Sequence, residues 1–109
     1  MALSADPAAI SVPAAGGKSE LKLNNGGGEK LVFKVKSSNN NEYRINPVFG
    51  FVDASGSTGV VITRLNGAAK EDKLVIQFGA APADAADAQA AFGAVSASAA
   101  SVTVALSAT

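Results

Sequence analysis

A chain of 109 residues is one domain of ordinary size, and its nine basic and nine acidic side chains cancel to zero formal charge without a single His, Cys or Trp. Those absences exclude Cys/His zinc sites, thiolate nucleophiles, disulfides and a Ser-His-Asp relay, and the balanced charge gives no field to attract nucleic acid. Of the apolar residues, 23 are Ala and 27 are Val, Leu, Ile or Phe. The latter are about a quarter of the chain, above the roughly 20% below which chains stay unfolded. The composition describes a binding or structural module, residues 1–109 as a single unit, with no catalytic residue, cofactor, metal or small-molecule substrate.

The opening stretch, Met1 to Pro7, has neither a basic region nor an apolar run of signal-peptide length, so a cytoplasmic location is expected. The first strand candidate is Ile10 to Val12, followed by Glu20 to Leu23, with Ala14-Ala15-Gly16-Gly17 as the turn between them. Asn24-Asn25-Gly26-Gly27-Gly28 then reads as a hairpin turn.

From Leu31 the period is two: Leu31, Phe33 and Val35 share one face, and Val32, Lys34 and Lys36 the other. Tyr43 to Ile45, Val48 to Val52 and Val60 to Leu65 are shorter strands, separated by polar or Gly-bearing turns. Leu74, Ile76 and Phe78 alternate with Lys73, Val75 and Gln77, and Val102, Val104 and Leu106 form a last apolar stripe. Val and Ile total 15 against seven Leu, the β-branched bias of a sheet.

Between those last two strands, Asp84 to Phe92 is Ala-rich. It predicts a short helix with Asp84 as N-cap, Asp87 near its start, Phe92 as its anchor and Gly93 ending it. Ala94 to Ala100 reads as a loop. Ala88 to Thr109 carries no charge over 22 residues, but its Ser, Thr and Gln side chains and Gly93 oppose membrane insertion. The pattern as a whole is an all-β sandwich with one short helix.

Gly16-Gly17-Lys18-Ser19 resembles the end of a phosphate-binding loop. However, the first Gly of that motif would fall on Val12, and the following Glu20-Leu21-Lys22-Leu23 alternates as a strand. The candidate site lies elsewhere. Lys34, Lys36 and Lys73 share the outward face with Val75, which offers charge beside an apolar spot suited to an acidic peptide; the alternative is a solvated sheet face.

The run Phe33-Lys34-Val35-Lys36-Ser37-Ser38, followed by Tyr43-Arg44-Ile45-Asn46-Pro47-Val48-Phe49-Gly50-Phe51-Val52-Asp53, resembles the central signature of the major sperm protein (MSP) domain. Ile10-Ser11-Val12-Pro13 and Lys73 to Phe78 also fall where that family places strands. The resemblance implies a seven-stranded immunoglobulin-like β-sandwich, a kinked edge at Asn46-Pro47, and a cis bond before Pro47 or Pro13. The chain is similar to the small single-domain sperm-specific members. This implies a non-enzymatic protein acting by protein association, with self-association as a homodimer and a structural or accessory part in the nematode sperm cytoskeleton.

The alternative that the resemblance carries is an adaptor for acidic, FFAT-like, or phosphorylated peptides. Lys36, Ser37, Ser38, Lys73 and Val75 match that groove in position or type, with Lys34 beside them. Asn41-Glu42 stands where the peptide receptors have two Arg, and Ser101 where they have Lys, so weak or absent binding of such peptides is expected.

Overall fold

The computed structural model describes residues 3–6, 9–39, 41–82, 84, 86–95 and 100–108. Among the described residues nine strands run in chain order: β1 Leu3–Asp6, β2 Ala9–Val12, β3 Gly17–Asn25, β4 Leu31–Ser37, β5 Tyr43–Asn46, β6 Phe49–Val52, β7 Ser57–Arg64, β8 Glu71–Ala80 and β9 Ala100–Ala108. One helix, α1 Ala88–Val95, precedes β9. The strands form a four-stranded sheet in the order β1-β3-β7-β5 and a five-stranded sheet in the order β2-β9-β8-β4-β6. Neighbours are antiparallel except β2, which runs parallel to β9.

Period-two alternation becomes burial. Leu21 and Leu23 from β3, Leu31, Phe33 and Val35 from β4, Val60 and Ile62 from β7, Leu74 and Ile76 from β8, and Val104 and Leu106 from β9 fill the space between the sheets. The count of nine replaces the expected seven, because β1 with β2, and β5 with β6, are four-residue pieces of two edges that each change sheets.

Consecutive strands alternate between the two sheets everywhere except at β8 and β9. The Gly26-Gly27-Gly28 stretch is therefore not a hairpin turn; it carries the chain from β3 in one sheet to β4 in the other. Buried Asn25 holds that crossing. Its Nδ2 donates to the carbonyls of Glu29 at 2.6 Å, Val52 at 3.2 Å and Asp53 at 3.2 Å, and its Oδ1 accepts from the Gly27 amide at 2.9 Å.

The helix also differs from expectation. It starts at Ala88, because Asp87 and not Asp84 is its cap: Asp87 Oδ1 accepts from the amides of Gln89 at 3.0 Å and Ala90 at 3.3 Å. Asp84 lies exposed in a turn upstream. Gly93 does not end the helix but sits within it, at a cost of roughly 0.5–1 kcal/mol relative to Ala. Residues 94 and 95 belong to the helix and Ala100 to β9, so only residues 96–99 of the expected loop are left, and they lie outside the described residues.

Phe92 anchors the helix as expected. With Ala91 it covers Val32 on the outward face of β4, and Phe49, Phe51, Ala81 and Ala88 pack around them. The uncharged stretch from Ala88 onward is thus shared between a helix and a strand. No helix among the described residues is long and apolar enough to cross a membrane.

Candidate functional site

The outward face of the five-stranded sheet has two halves because α1 covers only one. Val32 lies beneath the helix, while Lys34 and Lys36, the next outward positions of β4, lie beyond it. Antiparallel register puts Lys36 opposite Val75 and Lys34 opposite Gln77 on β8, and Val75 and Gln77 in turn opposite Thr103 and Ser101 on β9. Lys73 is the next outward residue of β8. Lys34, Lys36, Lys73 and Val75 therefore share one face, as the sequence pattern requires.

The edge of the sandwich turns this face into a concave site. β6 pairs with β4 only from Leu31 to Lys34, and one further bond runs from the Val35 amide to the Val48 carbonyl at 2.8 Å. On the N-terminal side of Val48, β5 belongs to the opposite sheet, where it pairs with β7, and the cis Asn46–Pro47 bond lies in the crossing. The Val12–Pro13 bond is not cis. Past Val35 the two sheets thus diverge, β4 on one side and β5 on the other.

The resulting cleft has a volume of about 570 Å³. Val35, Tyr43, Ile45 and Val48 give it an apolar lining, and Lys34, Lys36 and Arg44 bring three cations, with Ser37 completing it. No carboxylate of the described residues lines it. Lys34 Nζ stands 5.3 Å from the Phe49 ring centroid, and Arg44 Nη1 donates to the Tyr43 carbonyl at 3.2 Å.

Of the six residues singled out from the sequence, Lys34, Lys36 and Ser37 meet in the cleft. Lys73 and Val75 lie on the adjoining face but outside the cleft lining. Ser38 is part of a separate network: its hydroxyl donates to Asp72 Oδ1 at 3.1 Å and accepts from the Lys73 amide at 2.9 Å. Buried Asn39 donates to Asp72 Oδ2 at 3.1 Å, and its Oδ1 accepts from the amides of Asn41 and Glu42 at 3.1 and 3.2 Å. This network fixes the turn that leads into β5 and so sets one wall of the cleft.

Arg44, Tyr43, Ile45 and Val48 join the site only because β5 crosses to the other sheet; the one sequence signal for it is Pro47 after Asn46. Glu42, the anion that weakened the peptide-receptor comparison, does not line the cleft. Its side chain lies against the α-carbon of Gly67, beside the Arg64 guanidinium. Among the described residues no cluster of three or more acidic, His or Cys side chains could hold a metal.

Two facing sheets joined by sheet-to-sheet crossings define an immunoglobulin-like β-sandwich. The model of the MSP (Major sperm protein) domain matches residues 2–101, and the chain belongs to that family. It is 70% identical over 109 residues to sperm-specific class P protein 10 of Caenorhabditis elegans, covering 100% of this chain and 99% of that protein. Among solved structures it is similar to SSP-19, an MSP-domain protein of the same organism. The TM-score is 0.93 at 67% identity, over 97% of this chain and 98% of that one. It is also similar to WR4, a C. elegans MSP family member, with a TM-score of 0.91 at 42% identity, over 98% of this chain and 97% of that one.

Proposed function

We propose that this chain is a non-enzymatic, cytoplasmic sperm protein that works by associating with other proteins, as a structural or accessory component of the motility machinery. Its association surface is the β4–β5 cleft with the adjoining basic face, and the partner group it suits is an acidic segment bearing an apolar side chain. One observation carries this reading: three cations surround an apolar lining without any carboxylate among them. Charge-assisted contacts would hold the acidic groups while the lining takes the apolar one. The likeness to sperm-specific relatives supports the setting.

The placement of Glu42 away from the cleft removes one of the objections to peptide binding that the sequence raised. Exposed lysines and arginine contribute modestly one by one, so the affinity expected is low and salt-dependent.

The test is a titration with a synthetic peptide of several Glu and Asp around one Phe, alongside sedimentation velocity of the protein alone. The triple variant Lys34→Glu, Lys36→Glu, Arg44→Glu should abolish binding and keep the fold. If the triple variant binds as well as the unaltered chain, the cleft is not the site. A dimer that dissociates in the triple variant would identify the partner as a second copy; a dimer that persists would place self-association elsewhere.

A further inference from the structure

The chain contains two Asn-Gly pairs, Asn25-Gly26 and Asn66-Gly67, and the fold treats them in opposite ways. Asn25 is 3% exposed, and its side chain takes part in the four hydrogen bonds that hold the crossing from β3 to β4. Asn66 lies exposed in the connection from β7 to β8. Gly67, next to it, has the Glu42 side chain packed against its α-carbon: a Cβ built there would stand 2.5 Å from Glu42 Cγ and 3.1 Å from Oε1. A side chain at 67 would have to displace the Glu42 side chain, and glycine is the residue that hinders attack by its own amide nitrogen least.

We propose that Asn66 is a site of spontaneous deamidation in the folded protein and that the fold protects Asn25. The Gly67 nitrogen attacks the Asn66 side-chain carbonyl carbon. A carbon–nitrogen bond forms, the side-chain nitrogen leaves as ammonia with the proton lost by the amide, and a cyclic imide results. Water then opens the imide at either carbonyl to give aspartate or isoaspartate, releasing a proton.

The Gly67 amide donates to the Ala14 carbonyl at 3.0 Å, and that bond has to open before attack. It belongs to an exposed connection, where local opening is inexpensive, whereas freeing Asn25 requires disrupting bonds at the edge of the core. The product carries a new negative charge on a chain whose formal charge is zero. By the isoaspartate route it also lengthens the backbone within a loop that the bonds from Gly67 to Ala14 and from Arg64 Nη2 to Ala68 hold in place.

The test ages the full chain at mildly alkaline pH, folded in buffer and unfolded in guanidinium, followed by peptide mapping with mass spectrometry. In the unfolded sample both Asn-Gly pairs should convert. In the folded sample the acid should appear in the Asn66 peptide while Asn25 keeps its amide, and Asn66→Gln should remove the acidic species. Retention of the Asn66 amide in the folded chain over the time in which the unfolded chain converts would overturn the proposal, as would equal conversion of Asn25 and Asn66 in the folded chain.

Discussion

The ring of Phe33 lies across the α-carbon of Gly50: a Cβ built on Gly50 would stand 2.7 Å from Phe33 Cζ and 2.8 Å from Cε2. The two residues are directly paired between β4 and β6. Gly50 is thus the residue that lets β6 close over a core aromatic once the chain has crossed from β5. Gly50→Ala forces the Phe33 ring or β6 to move and should destabilise the protein by about 1–3 kcal/mol, the usual range for overpacking. Guanidinium denaturation followed by circular dichroism measures this, and an unchanged midpoint would show that the ring adapts freely.

Asn25 holds the crossing between sheets through bonds to three carbonyls. Asn25→Ala removes those donors, and Asn25→Asp replaces them with an acceptor facing carbonyl oxygens. Each should lower stability by roughly 1–3 kcal/mol or more, since buried carbonyls lose their partners. The Asp variant should be the weaker of the two at neutral pH and should recover part of the loss on acidification, when its protonated carboxyl can donate. Denaturation at two pH values checks that order.

Arg64, 2% exposed, stacks its guanidinium 5.0 Å from the Tyr43 ring centroid and donates to the carbonyls of Ala68 at 2.8 Å and Ala14 at 3.4 Å. It ties two loops to the end of β7. Arg64→Lys keeps a charge but loses the planar fork and the ring contact, so it should not restore the unaltered stability. Arg64→Met should raise amide exchange in the loops around residues 14 and 68 more than in β8. Hydrogen exchange resolved by peptide is the measurement.

Phe92 meets Phe49 edge to face, with ring centroids 6.1 Å apart, and covers Val32. Phe92→Ala should cost about 3 kcal/mol or more and loosen the helix from the sheet. A larger loss of protection in α1 than in β7 would confirm that the helix opens as a separate layer; an unchanged denaturation midpoint would contradict the expected cost.

Lys36 lines the cleft and Lys73 does not. Lys36→Glu should therefore weaken capture of an acidic peptide more than Lys73→Glu, with both variants stable. Equal effects in parallel titrations would move the site onto the sheet face between β4 and β8.

The strands were legible in the sequence because alternation of apolar and polar side chains is a local property, and burying one face of each strand fixes which residues meet the core. Lys34, Lys36 and Val75 could be assigned to one face on that ground alone. The order of strands could not be read in this way. Gly26-Gly27-Gly28 looks like a hairpin turn from its own residues, and only the pairing of β3 with β7 and of β4 with β8 makes it a crossing. The cleft has the same origin. Arg44 and Val48 meet Lys34 and Lys36 because β5 and β6 belong to different sheets, a relationship between distant backbone partners that no spacing along the chain encodes. Side-chain pattern determined which faces are apolar; backbone hydrogen bonding across the two sheets decided which of the remaining polar residues share a site.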